Sequence, residues 1–122
     1  MSLDWTSDAK YFALGTGCNF AFIGYFTEDH NWWQTKRLAK HKSTVTCVRF
    51  HPSDKFIATA GTDQHVLVTP VLGPDTKMDT VAKMAVPAWI NCLDWSPDGR
   101  NLVIVDHACN IRFYSLSENM EV

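Results

Sequence analysis

The residue types able to do chemistry fall in a few groups along the chain. Glu28, Asp29 and His30 lie together and carry metal-ligand and acid–base functions, but no second carboxylate or histidine cluster is spaced to complete a site. Cys18, Cys47, His41, His65 and Asp63 include the types of a nucleophile system. Cys47, His41 and Asp63 are instead accounted for by repeat positions set out below. The sequence has no Gly-rich phosphate loop, no Gly-x-Ser-x-Gly and no His-Glu-x-x-His. None of Cys18, Cys47, Cys92 and Cys109 forms a Cys-x-x-Cys pair, so zinc and thioredoxin-type chemistry lack local support. Cys47 and Cys92 read as small buried thiols, with a disulfide as the alternative. These absences predict a protein that is not an enzyme and needs no metal or cofactor.

Two further groups suit contact with other molecules. Trp32 and Trp33 are adjacent, so on a strand they face opposite sides. One ring is expected in a core and the other at a surface, where exposed Trp anchors interfaces. Lys36, Arg37, Lys40, His41 and Lys42 form a basic run. It reads either as a contact for an acidic or phosphate-bearing partner or as a solvated strand edge that resists sheet-to-sheet pairing.

The elements that position these residues follow from an internal repeat. Trp5, Phe50 and Trp95 stand 45 residues apart in Leu3-Asp4-Trp5, Val48-Arg49-Phe50 and Leu93-Asp94-Trp95. Further apolar columns keep the same phase: Phe12, Ile57 and Leu102; Ala21, Val66 and Ile111; Ile23, Val68 and Phe113. Each unit has an alternating run, a polar turn such as His51-Pro52-Ser53-Asp54, a second apolar run, a short turn and a third β-branched or aromatic run. Such spacing means short antiparallel strands. Trp32 to Leu38 supplies a fourth strand, and its counterpart is expected near Thr80 to Met84. Four strands per 45 residues is the pattern of a propeller blade.

Composition agrees with a packed β protein. Of 122 residues, 46% are hydrophobic and 20% charged, enough to fill a core. The formal net charge of −2 argues against a chain built to coat nucleic acid. The start, Met1-Ser2-Leu3-Asp4-Trp5, has no secretory-signal character. The most apolar stretch, residues 11–26, is too interrupted to span a membrane. The expectation is a soluble intracellular protein.

The fold class expected is therefore all-β, a partial β-propeller of WD-repeat type. His41 stands seven residues before Val48, Thr59 on the second strand of its unit and Asp63 in the following turn. This resembles the WD-repeat network, in which a His, a Ser/Thr and a turn Asp tie the blade together. An Asp in such a turn accepts backbone amides while sharing its charge with the His. The network's Trp position is Thr69 here, and the closing dipeptide positions read Gly24-Tyr25, Thr69-Pro70 and Tyr114-Ser115.

Tyr25-Phe26, the acidic turn, Trp32-Trp33, the Lys-rich strand through Lys40, Ser43-Thr44-Val45 and His51-Pro52 together resemble the WD-repeat subunit family (subunit 1, p40-type) of the actin-related protein 2/3 complex. The resemblance covers roughly residues 3 to 68. It implies a non-catalytic scaffold in an actin nucleator, working through actin-related proteins, other complex subunits and the actin filament, in the cytoplasm at the actin cytoskeleton. No cofactor, nucleic acid or membrane span is implied. A WD-repeat adaptor of another complex is the alternative. Partner contact is expected at Trp32, Trp33, Lys36, Arg37 and Lys40.

The units are expected at residues 1–38, 41–85 and 86–116, the third lacking its fourth strand, with 117–122 as a tail. Dividing the length by the period gives about 2.7 units, whereas closed propellers have about four to eight blades. The sequence is therefore expected to be part of a propeller, or a chain that needs partners to cover open blade faces.

Overall fold

The computed structural model describes residues 2–29, 31–71 and 82–117, without the side chains of Ala39 and Lys40. Eleven strands are present among the described residues: β1 (Ser2–Trp5), β2 (Tyr11–Gly15), β3 (Phe20–Thr27), β4 (Trp32–Lys40), β5 (Val45–Phe50), β6 (Phe56–Gly61), β7 (His65–Pro70), β8 (Ala82–Ala85), β9 (Ile90–Trp95), β10 (Asn101–Asp106) and β11 (Ile111–Ser115). They form three antiparallel sheets in sequence order, β1-β2-β3-β4, β5-β6-β7-β8 and β9-β10-β11. The expected fourth strand of the second unit is β8. Its expected first residues, Thr80 and Val81, and the loop before them lie outside the described residues, as does the tail from residue 118.

Turn chemistry fixes the registers. Between β1 and β2, Asp8 accepts the Lys10 amide at 3.0 Å and the Thr6 hydroxyl at 2.7 Å. Asp98 does the same for the Arg100 amide at 3.0 Å and for Ser96. An Asx turn of this kind needs a left-handed residue next, and Ala9, Asp54 and Gly99 carry positive φ at matching repeat positions. Gln64 and Cys109 do so in the following turn. The repeat thus extends to backbone conformation.

Strand alternation sends one set of side chains to each side. Ala13, Ala21, Ile23 and Leu38 of the first sheet pack against Val45, Val48, Phe50, Ile57 and Leu67 of the second. The opposite face of the second sheet, including Cys47, Ala58, Val66 and Val68, packs against Leu93, Trp95, Leu102 and Ile104 of the third. Strands β6 and β7 are therefore buried on both faces. Side chains on the inner strands stitch the sheets: Asp4 accepts the Phe50 amide at 2.9 Å, and the Trp95 indole donates to the Arg49 carbonyl at 3.1 Å.

One expectation about the cysteines fails. All four are free, and Cys47 is buried while Cys92 is exposed. Cys92 occupies the equivalent strand position but lies on the side of β9 against which no described sheet packs. Burial pushes the Cys47 thiol up to about 12, so it is an inert core group.

Candidate functional site

His41, Thr59 and Asp63 meet at the end of the second sheet where β4 enters β5 and β6 turns into β7. His41 is 1% exposed. Its Nδ1 lies 3.0 Å from Asp63 Oδ2 and its Nε2 2.8 Å from Thr59 Oγ1. With one proton on Nδ1, the imidazole donates to the carboxylate and accepts from the hydroxyl. Asp63 also accepts the Lys42 amide at 3.0 Å and the His65 amide at 3.2 Å. One side chain thus pins both the loop before β5 and the turn before β7.

Charge follows from this geometry. Burial holds the His41 imidazole below its ordinary value, outweighing the upward pull of Asp63. Burial pushes the Asp63 carboxyl up, but the Lys42 amide, the His41 ring and the His65 amide together hold it below the ordinary carboxylate value. The favoured pair is a neutral imidazole and a carboxylate, hydrogen-bonded on every side. The hydrogen bonds of the cluster hold the loop before β5 and the turn before β7 in place. At the Trp position of the network, Thr69 is fully buried and its hydroxyl has no partner among the described residues.

The third sheet solves the same problem differently. The positions 45 residues on from His41 and Thr59 are Val86 and Ile104, both buried in the second core. The turn there is held by Asp106, whose carboxylate accepts the Ala108 and Asn110 amides at 3.0 Å and the Arg112 guanidinium at 3.0 Å. The Asn110 amide is the main influence holding the Asp106 carboxyl below its ordinary value.

The expected contact residues are spread over β4. Trp32 is 71% exposed at the start of β4. Trp33 is 38% exposed and belongs to an aromatic cluster with Trp5, Phe12 and Phe26, with ring centroids 5.5–5.9 Å from its own. The expected division into one core ring and one surface ring is therefore corrected: both are exposed, on opposite faces. Alternation sets the faces, while the extent of the neighbouring sheet sets what is covered. Phe12 lies over Gly24, its cross-strand partner, where a Cβ would strike the ring. Arg37 stacks over Phe20 at 4.5 Å. Lys36 is half-buried, and the Lys40 side chain lies outside the described residues. Glu28 and Asp29 are exposed in the turn before β4, and His30 lies outside the described residues. Among the described residues, no group of three or more His, Cys, Asp or Glu could hold a metal ion. No helix of the described chain is long and apolar enough to cross a membrane.

Sequence reasoning did not find the latches between turns of successive sheets. Asp54 accepts the Ser7 amide at 3.0 Å and also the Ser7 hydroxyl. His51 Nε2 lies 2.9 Å from the Gly99 carbonyl, its ring 4.8 Å from Trp95. The repeat alignment puts these turns in one column, which was the available signal. It does not show that a residue reaches across to the next unit.

Four-stranded antiparallel sheets on a 45-residue period, tied by a His–Thr–Asp chain, define a propeller-type repeat protein. The family model "WD domain, G-beta repeat" matches residues 32–68 and 81–115, and the chain belongs to that family. The first matched segment runs from the last strand of one sheet through three strands of the next, so each sequence unit stitches two sheets together. Among curated proteins, the chain is similar to actin-related protein 2/3 complex subunit 1A of Arabidopsis thaliana, 31% identical over 129 residues, 93% of this chain and 34% of that protein. It is 25% identical to subunit 1 of Schizosaccharomyces pombe over 122 residues, 88% of this chain and 32% of that protein. To subunit 1A-B of Xenopus laevis it is 26% identical over 136 residues, 97% of this chain and 37% of that protein. The chain spans about a third of the length of the curated relatives it matches.

Proposed function

We propose that this chain contributes to a non-catalytic scaffold subunit of an actin-nucleating complex, acting through protein–protein contacts in branched filament nucleation. The observation that carries the reading is similarity over nearly the whole chain to subunit 1 of that complex from a plant, a yeast and a vertebrate. The polar cluster supports a non-enzymatic role, since its groups are consumed in holding loops. Its partners are actin-related proteins, the other complex subunits and the actin filament, and its place is the cytoplasmic actin cytoskeleton.

The proposed contact surface runs along β4 with Trp32 as anchor, joined by Trp33, Lys36, Arg37 and Lys40. Exposed Trp and Arg are the residue types that dominate interface energies. The sheets provide a rigid frame that presents such side chains in fixed register. Residues 1–38, 41–85 and 86–116 serve as the three blade units of this frame.

Affinity purification of the tagged chain from cells tests the proposal. Actin-related proteins and the other complex subunits are expected in the eluate. A different stable partner in their absence overturns it and favours a WD-repeat adaptor of another complex.

A further inference from the structure

Where β5 turns into β6 and β9 into β10, the second and third sheets leave a cleft of about 350 Å³. Lys55 and Arg100 line it, one from each sheet, at the same repeat position. Neither makes an ion pair among the described residues. The carboxylate in the lining, Asp98, is turned into its own loop, accepting the Ser96 hydroxyl at 2.5 Å and the Arg100 amide at 3.0 Å. Phe56 and Leu116 add apolar surface.

The first junction shows how this cleft comes to carry more positive than negative groups among the described residues. There the turns are latched by a carboxylate, Asp54, accepting from Ser7. At the second junction the latch is an imidazole. His51 Nε2–H donates to the Gly99 carbonyl at 2.9 Å, and Nδ1 accepts the Ser53 amide at 3.1 Å. Gly99 is required there, since a Cβ would strike the His51 ring and its φ is +73°. With an imidazole latch in place of a carboxylate one, the described residues that line the cavity carry two cations and one occupied carboxylate.

We propose that this cleft binds the phosphorylated serine or threonine side chain of a partner protein. A guanidinium and an ammonium from separate sheets exceed what a single planar carboxylate satisfies, because the guanidinium fork alone takes both its oxygens. A phosphomonoester carries about −1.5 to −2 charge and three acceptor oxygens, which serve both cations at once. The apolar part of the lining receives the side chain's carbon stem. The site is independent of the assembly proposed above.

Titration of the full chain with three blocked pentapeptides, Ala-Ala-X-Ala-Ala with phosphoserine, glutamate or serine at X, tests this by nuclear magnetic resonance. The Lys55, Arg100 and Trp95 amides should shift with phosphoserine, which should bind at least about tenfold more tightly than glutamate. The double variant Lys55→Gln/Arg100→Gln alters only exposed side chains. It should weaken phosphopeptide binding by about tenfold or more, while Lys10→Gln leaves it unchanged. Equal binding of the glutamate peptide overturns the phosphate assignment. Undiminished binding by the double variant, or no binding by the parent chain, overturns the site.

Discussion

The second and third sheets hold the same loop-to-strand corner by opposite means. In the second, His41 bridges Thr59 and Asp63, so a buried ring is satisfied at both nitrogens. In the third, Val86 and Ile104 fill the corner with hydrocarbon, and Asp106 holds the turn amides instead. A buried polar network is favourable only when every member is satisfied, whereas apolar packing carries no such condition. The two units thus share a shape to be filled and amides to be capped, while the chemistry that does so differs.

The largest expected effect comes from breaking the polar solution. His41→Val should cost about 3 kcal/mol, because it leaves the buried Thr59 hydroxyl only the Leu67 carbonyl at 3.5 Å and strips one partner from the Asp63 carboxylate. Adding Thr59→Ile converts the corner to the apolar solution and should recover at least half of that loss. Urea unfolding of both variants measures this, and a double variant weaker than His41→Val would show that the two solutions are not interchangeable.

The reverse change is expected to be somewhat smaller. Ile104→Thr places a hydroxyl in the third sheet with no histidine to receive it, at a cost of about 2 kcal/mol. An unchanged urea midpoint would mean that the corner admits a partner for the hydroxyl.

Acid should separate the two sheets as well. His41 has a folded value below its unfolded one, so between them the unfolded chain binds more protons and stability rises with pH. Stability is therefore complete above the ordinary histidine value and declines as pH falls below it. Asp63, also lowered, adds a second decline below the ordinary carboxylate value. Urea midpoints from pH 7 to pH 5 should fall for the parent chain and stay nearly flat for the His41→Val/Thr59→Ile variant. Equal slopes would remove His41 from the account.

The smallest effect concerns Thr69, the buried hydroxyl at the network's Trp position. Thr69→Val keeps the shape and removes an unsatisfied polar group, so a gain of about 1 kcal/mol is expected. A loss measured by the same unfolding experiment would reveal a partner for the hydroxyl.

Much of this was legible in the sequence, for identifiable reasons. Trp5, Phe50 and Trp95 mark inner strands, and apolar columns in constant phase force one sheet register in every unit. His41, Thr59 and Asp63 were recognisable because the corner they hold has fixed spacing from Val48. The fate of Trp32 and Trp33 was not legible, since alternation assigns faces without saying how far the next sheet extends over them. Cys92 misled for the same reason: its repeat position matches Cys47, but no described sheet covers it. The Asp54 and His51 latches were hidden because each depends on which turn stands opposite in the neighbouring sheet. The third sheet's own solution was hidden too, because Asp106 sits at a column occupied by Gly61 in the second unit.

In the function proposed above, this repeat frame presents a β4 surface to an actin-nucleating assembly. Quantitative recovery of actin-related proteins on the tagged chain, compared with its Trp32→Ala variant, tests it most directly. Trp32 is exposed, so the variant should keep the parent's urea midpoint while recovery falls by about tenfold or more. Recovery from the variant equal to that from the parent, or none from either, would contradict the account.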